Sequence, residues 1–135
     1  MIPEHLSPDR FAAAVATRLN SVVPAGLSVR AEGAGVTLYD PQSWGASLAA
    51  DFLADEDGRS IVERVETVAY AIMNSVQDEV MESTKEQWPV GPRGAAEPGA
   101  RVIGEQLHLW FGDEAAPVLR LEPVDLLELG AGAPC

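Results

Sequence analysis

The chain has 135 residues, nine of them basic and 21 acidic, for a formal net charge of −12 at pH 7. That length suits one domain with its own core, 1–135. Nine scattered basic residues supply no stripe for phosphates, so nucleic acid is not expected as a partner, and an anionic membrane surface is disfavoured on the same ground.

No apolar run approaches the roughly 20 residues of a membrane span. Met1 to His5 lacks the basic-then-apolar order of a signal peptide. Cys135 is the only cysteine, so no internal disulfide is expected and a reducing, cytoplasmic location is the simplest reading. The acidity is read first as solubility. Only Lys85 among the basic residues is lysine, and Ala and Gly are abundant, as in high-GC coding genomes.

Ser7-Pro8-Asp9 opens a first helix, with Ser7 as N-cap, Pro8 where a missing amide costs nothing, and Asp9 at the positive end of the dipole. Phe11, Ala14, Val15, Leu19 and Val22 form its apolar stripe, and Pro24-Ala25-Gly26 ends it. Leu27 to Glu32 and Val36 to Asp40 alternate apolar with polar residues around Gly33-Ala34-Gly35, which predicts a β-hairpin closed by Pro41. Trp44 to Leu53 fits both helical and strand periods; a short strand continuing the sheet is preferred. Asp55-Glu56-Asp57-Gly58 is a charged turn.

Ser60-Ile61-Val62-Glu63 has the form of a capping box, with the Glu63 carboxylate expected on the Ser60 amide. Ile61, Val65, Val68, Ala69, Ile72, Val76 and Val80 recur at helical spacing. Glu63, Arg64, Glu66, Asp78, Glu79, Glu82 and Glu86 fall largely between them, on the wet side, and Pro89 should stop the helix at Trp88. Residues 89–101 read as a flexible Pro/Gly loop. Val102 to Phe111 reads as one strand, with Leu107, Leu109 and Phe111 on one face and His108 and Trp110 on the other. Val118 to Leu121 returns as its partner, Val124 to Leu129 adds a short edge element, and 130–135 is a frayed tail. The order α-β-β-[β]-α-β-β predicts an α+β fold of two layers. Its antiparallel sheet has about four to five strands, with two helices on one face.

Few residues suggest chemistry. A calcium loop built on Asp55-Glu56-Asp57-Gly58 would need oxygen ligands at Leu53 and Arg64, and has neither. Gly45-Ala46-Ser47-Leu48-Ala49 is close to a nucleophile elbow, but that elbow needs a larger α/β sheet with a downstream acid and histidine; only His108 follows as a histidine, and the chain is short. His108 could form an acid–base couple with Asp113, Glu114 or Glu105, since imidazole ordinarily titrates near neutral pH; a partly exposed packing histidine is the plainer reading. No metal, cofactor or catalytic residue is assigned. Trp44, Trp88 and Trp110, with His108, are the candidate interface residues, because tryptophan is enriched at binding hot spots. Trp110 needs cover from the molecule's own loop or from another chain.

At Gln87-Trp88-Pro89, Leu107-His108-Leu109-Trp110-Phe111-Gly112-Asp113 and Ala116-Pro117-Val118-Leu119 the C-terminal half resembles small actinobacterial proteins without an assigned function. In size, acidity and element order the whole chain is similar to secretion-system chaperones of the type III class. The actinobacterial resemblance implies no activity and carries no functional residues; the chaperone likeness is one of size, acidity and order, without motifs, and is compatible with partner binding. The expected role is therefore a non-catalytic protein-binding or assembly module, chaperone- or adaptor-like, with a protein partner or a second copy as a homodimer. The alternative is a small enzyme or ligand binder using the sheet face around His108 and Trp110.

Overall fold

A computed structural model describes residues 6–39, 44–48 and 60–130, with 44–48 described through their backbone. The charged turn at 55–58, residues 49–53 and the tail beyond Gly130 lie outside the described residues. Helix α1, Pro8–Asn20, begins as its residues dictate: Ser7 Oγ accepts from the Arg10 amide at 3.2 Å and Pro8 stands at the first position. It buries Phe11, Ala12, Val15, Ala16 and Leu19. Strands β1 (Ser28–Glu32) and β2 (Gly35–Tyr39) form the first hairpin. Its two-residue loop starts at Gly33, whose φ of +59° is the positive value a glycine adopts without a Cβ penalty. Strand β3 (Trp44–Leu48) pairs antiparallel with β2 and continues the sheet.

The 24-residue helix α2, Ile61–Thr84, is unbroken and rises about 36 Å at the usual 1.5 Å per residue. Ser60 Oγ accepts from the Glu63 amide at 3.2 Å, and the Ser60 hydroxyl donates to Glu63 Oε1 at 3.3 Å. The box therefore closes through the hydroxyl and not through the Ser60 amide. The helix ends four residues before Trp88. Lys85 takes a left-handed φ of +59° and its amide reaches Met81 O, while Thr84 Oγ1 accepts from the Glu86 amide. Local capping stops the helix before Pro89 acts on it.

Residues 89–101 are not a featureless loop. A ribbon of β4 (Val90–Gly91) and β5 (Gly94–Ala95) leads into β6 (Pro98–Ile103). The single strand expected over Val102 to Phe111 is two, β6 and β7 (Gln106–Asp113), joined by Gly104-Glu105 with Gly104 at φ +63°. Strand β8 (Ala116–Arg120) and the short β9 (Val124–Asp125) both pair with β7, and a 3-10 turn follows at Leu126–Leu129. Gly130 is not frayed: it is buried, bridges Leu6, and its carbonyl accepts from Arg10.

The α+β class and the two helices hold; the single sheet does not. The described strands divide into β1-β2-β3, the β4-β5 ribbon, and a four-stranded sheet of β6 to β9. The long helix lies against both larger sheets, on β2 and β3 of the first and β6 of the second. The Val29 amide of β1 donates to Asn20 Oδ1 at 2.9 Å, and the Val102 amide of β6 donates to Glu66 Oε2 at 2.8 Å. A helix side chain thus satisfies one amide on an edge strand of each larger sheet. Glu66 is accordingly half-buried, and Arg64 is buried; neither is on the wet side. Helix α1 packs on β1 and β2. One cluster of buried residues runs through both helices and both larger sheets, from Leu6 to Leu129.

Candidate functional site

Strand β7 alternates between buried Leu107, Leu109 and Phe111 and half-buried His108 and Trp110. The first set faces the helices, so the second marks the outer face of the C-terminal sheet. Directly opposed residues share a face in an antiparallel pair. The register therefore brings Gly99, Trp110 and Arg120 into one row, and Arg101 and His108 into the next. Ile103, 54 % exposed, ends the face at one side. Val118, 39 % exposed, is the extra residue of a bulge where the β7–β8 register shifts after Phe111. Bulges re-aim side chains outward and blunt a sheet edge.

Trp110 is covered from within. A Cβ placed on Gly99 would lie 2.4 Å from Trp110 Cε2 and 2.6 Å from Nε1, so the indole rests on the bare backbone of its cross-strand partner. Glycine at 99 is what allows this approach. The indole leans toward β6, away from Arg120. Trp88 is on the other side of the same sheet: its ring meets Phe111 edge-on at a centroid distance of 5.2 Å and packs on the core. Trp44 belongs to the first sheet, where its backbone pairs with Tyr39. Of the four residues singled out by sequence, only His108 and Trp110 share a surface.

The sequence reading missed the two arginines of this face, because nothing in the linear order signals that residues 101 and 120 flank 108 and 110. Arg101 pairs with Glu114 at 3.1 Å, with both side chains well exposed. Glu114 is thereby engaged away from His108, and His108 makes no hydrogen bond or ion pair among the described residues. The acid–base couple that an enzyme reading needs is not assembled here.

A cleft of about 740 Å³ opens between the β4-β5 ribbon and the β7-β8 hairpin, lined by Gly91, Gly94, Ala96, Gly112, Ala116 and Val118 among others. Gly112 has φ +106°, and a Cβ there would stand 2.9 Å from the Val118 amide nitrogen. The walls are mostly backbone, with Arg93, Glu97 and Asp113 as the charged members. His108 is not among the lining residues. Among the described residues no three of His, Cys, Asp and Glu gather as metal ligands, and no helix is long and apolar enough to cross a membrane.

No protein-family model matches the chain, and neither a curated protein nor a solved structure matches it.

Proposed function

We propose that the chain is a non-catalytic protein-binding or assembly module, chaperone- or adaptor-like, and that it binds through the outer face of the C-terminal sheet. One observation carries this reading. His108, Trp110, Arg101, Arg120, Ile103 and Val118 share one face, and two of its large apolar side chains are open to solvent. Aromatic and arginine side chains are the groups most enriched at the centres of protein interfaces. The partner is a protein and not a nucleic acid or a membrane.

A homodimer across the same face is the second reading, favoured by the exposure of Ile103 and Val118. A photo-cross-linking amino acid placed at 118, in cells that make the protein, tests both. Discrete adducts from position 118, and none from the somewhat more exposed Tyr70 of α2, support the module. An adduct of twice the chain mass identifies the homodimer. No adduct from 118, or the same adducts from both positions, overturns the reading.

A further inference from the structure

Most basic side chains of this acidic chain are engaged within the molecule. Arg10 donates to Gly130 O, and Arg18 to Glu122 O and Pro123 O. Arg30 sits 5.4 Å over the Tyr39 ring, Lys85 binds Glu82, Arg101 binds Glu114, and Arg64 is buried with a partner. Among the described residues, Arg93 and Arg120 alone are exposed cations without a partner. Both flank the same apolar residue. Arg120 is two positions from Val118 on β8, and the ribbon whose tip carries Arg93 reaches Val118, since a Cβ on Gly91 would stand 3.5 Å from Val118 Cγ2.

Resting on the surface reading above, we infer that the partner contributes an acidic segment, whose carboxylates pair with Arg120 and Arg93 and whose apolar side chains cover Val118 and the edge of Trp110. Arginine presents a fixed fork of donors that suits carboxylates in two-point contact. Among the described residues no carboxylate lies within ion-pair distance of either arginine: Glu114 is held by Arg101, while Glu97 and Asp113 line the cleft with Arg93 as competitors. The overall charge of −12 is no obstacle at close range, because charges beyond about 8 Å are largely screened at physiological ionic strength.

The test is an amide NMR titration of the isotope-labelled full chain at about 0.15 M salt, a Debye length near 8 Å. One probe is a synthetic peptide of repeated Glu-Glu-Leu and the other its Lys-Lys-Leu counterpart. The acidic peptide should produce saturable shifts at the Trp110 indole, His108, Val118 and Arg120. The double variant Arg93→Glu, Arg120→Glu should weaken it by about tenfold or more, as removal of desolvated charge pairs does, while distant resonances stay in place and report an intact fold. Shifts from the acidic peptide that map elsewhere, or an affinity untouched by the charge reversal, overturn the inference. If only the basic peptide moves the Trp110 and Val118 signals, the surface stands and the acidic preference falls. If neither peptide moves them, both readings fall.

Discussion

The carboxylate of Glu66 accepts the Val102 amide at 2.8 Å, so the long helix closes the edge of the C-terminal sheet with a side chain in place of another strand. Removing that oxygen leaves a half-buried edge amide without its acceptor. Glu66→Ala should cost about 1.5–3 kcal/mol, the range for a hydrogen bond to a charged group, read from the shift of the urea midpoint. Glu66→Gln keeps an acceptor oxygen and should recover most of the loss. Equal losses for both substitutions would show that the carbonyl oxygen does not support the edge.

Gly99 and Trp110 should behave as one unit. Gly99→Ala drives a methyl into the indole, where contact would fall to 2.4 Å. The ring must lift, at a cost of about 1–3 kcal/mol, as for other overpacked sites. Its NMR signal should move, and solvent should reach it. In a Trp110→Ala background the same glycine substitution should cost much less, because residues in contact are not additive. Additive losses would rule out the contact.

Gln77 ties the ribbon to the core. Its Nε2 donates to the carbonyls of Trp88 and Ala96, on either side of the β4-β5 turn, and the residue is only 5 % exposed. Gln77→Leu fills the volume but leaves both carbonyls without that donor, for a loss of about 2–3 kcal/mol. Hydrogen exchange should quicken at the Ala96 amide, which donates to Pro89 O at 2.8 Å, while the α2 amides before Gln77 keep their protection. Unchanged exchange at Ala96 would mean that the ribbon holds itself.

Lys85 holds the Glu82 carboxyl below its ordinary range, chiefly through their hydrogen bond and then through charge. A carboxyl lowered in the folded state contributes stability that is present above the ordinary carboxylate range and disappears as pH falls through the lowered value. The pair is open to solvent, at 2.9 Å with both side chains about three-quarters exposed. Such pairs contribute little. Glu82→Gln should therefore leave the thermal midpoint unchanged within error at pH 7, and the acid limb of stability should keep its shape. A clear drop at pH 7 would assign the pair a structural role.

The helices were legible because their causes are local. Ser7-Pro8, the Ser60–Glu63 box and the apolar spacing of α2 act within a few residues, and the strand alternation of β7 sorts Leu107 and Leu109 from His108 and Trp110 in the same way. Turns were legible where Gly33 announced them. Gly104 did so more faintly, because the alternation of Val102 to Phe111 continues through it in the linear pattern. The end of α2 was misplaced because Lys85, not glycine, takes the left-handed position.

Periods and caps along the chain determined the two helices, the α+β class and which side of each strand is greasy. Tertiary structure alone decided how the described strands divide into sheets and what lies beside Trp110, because those outcomes depend on pairings between residues distant in the chain, such as Trp110 with Gly99 and Glu66 with the Val102 amide. A side chain that reaches 36 positions along the chain to accept a hydrogen bond leaves no trace in local spacing.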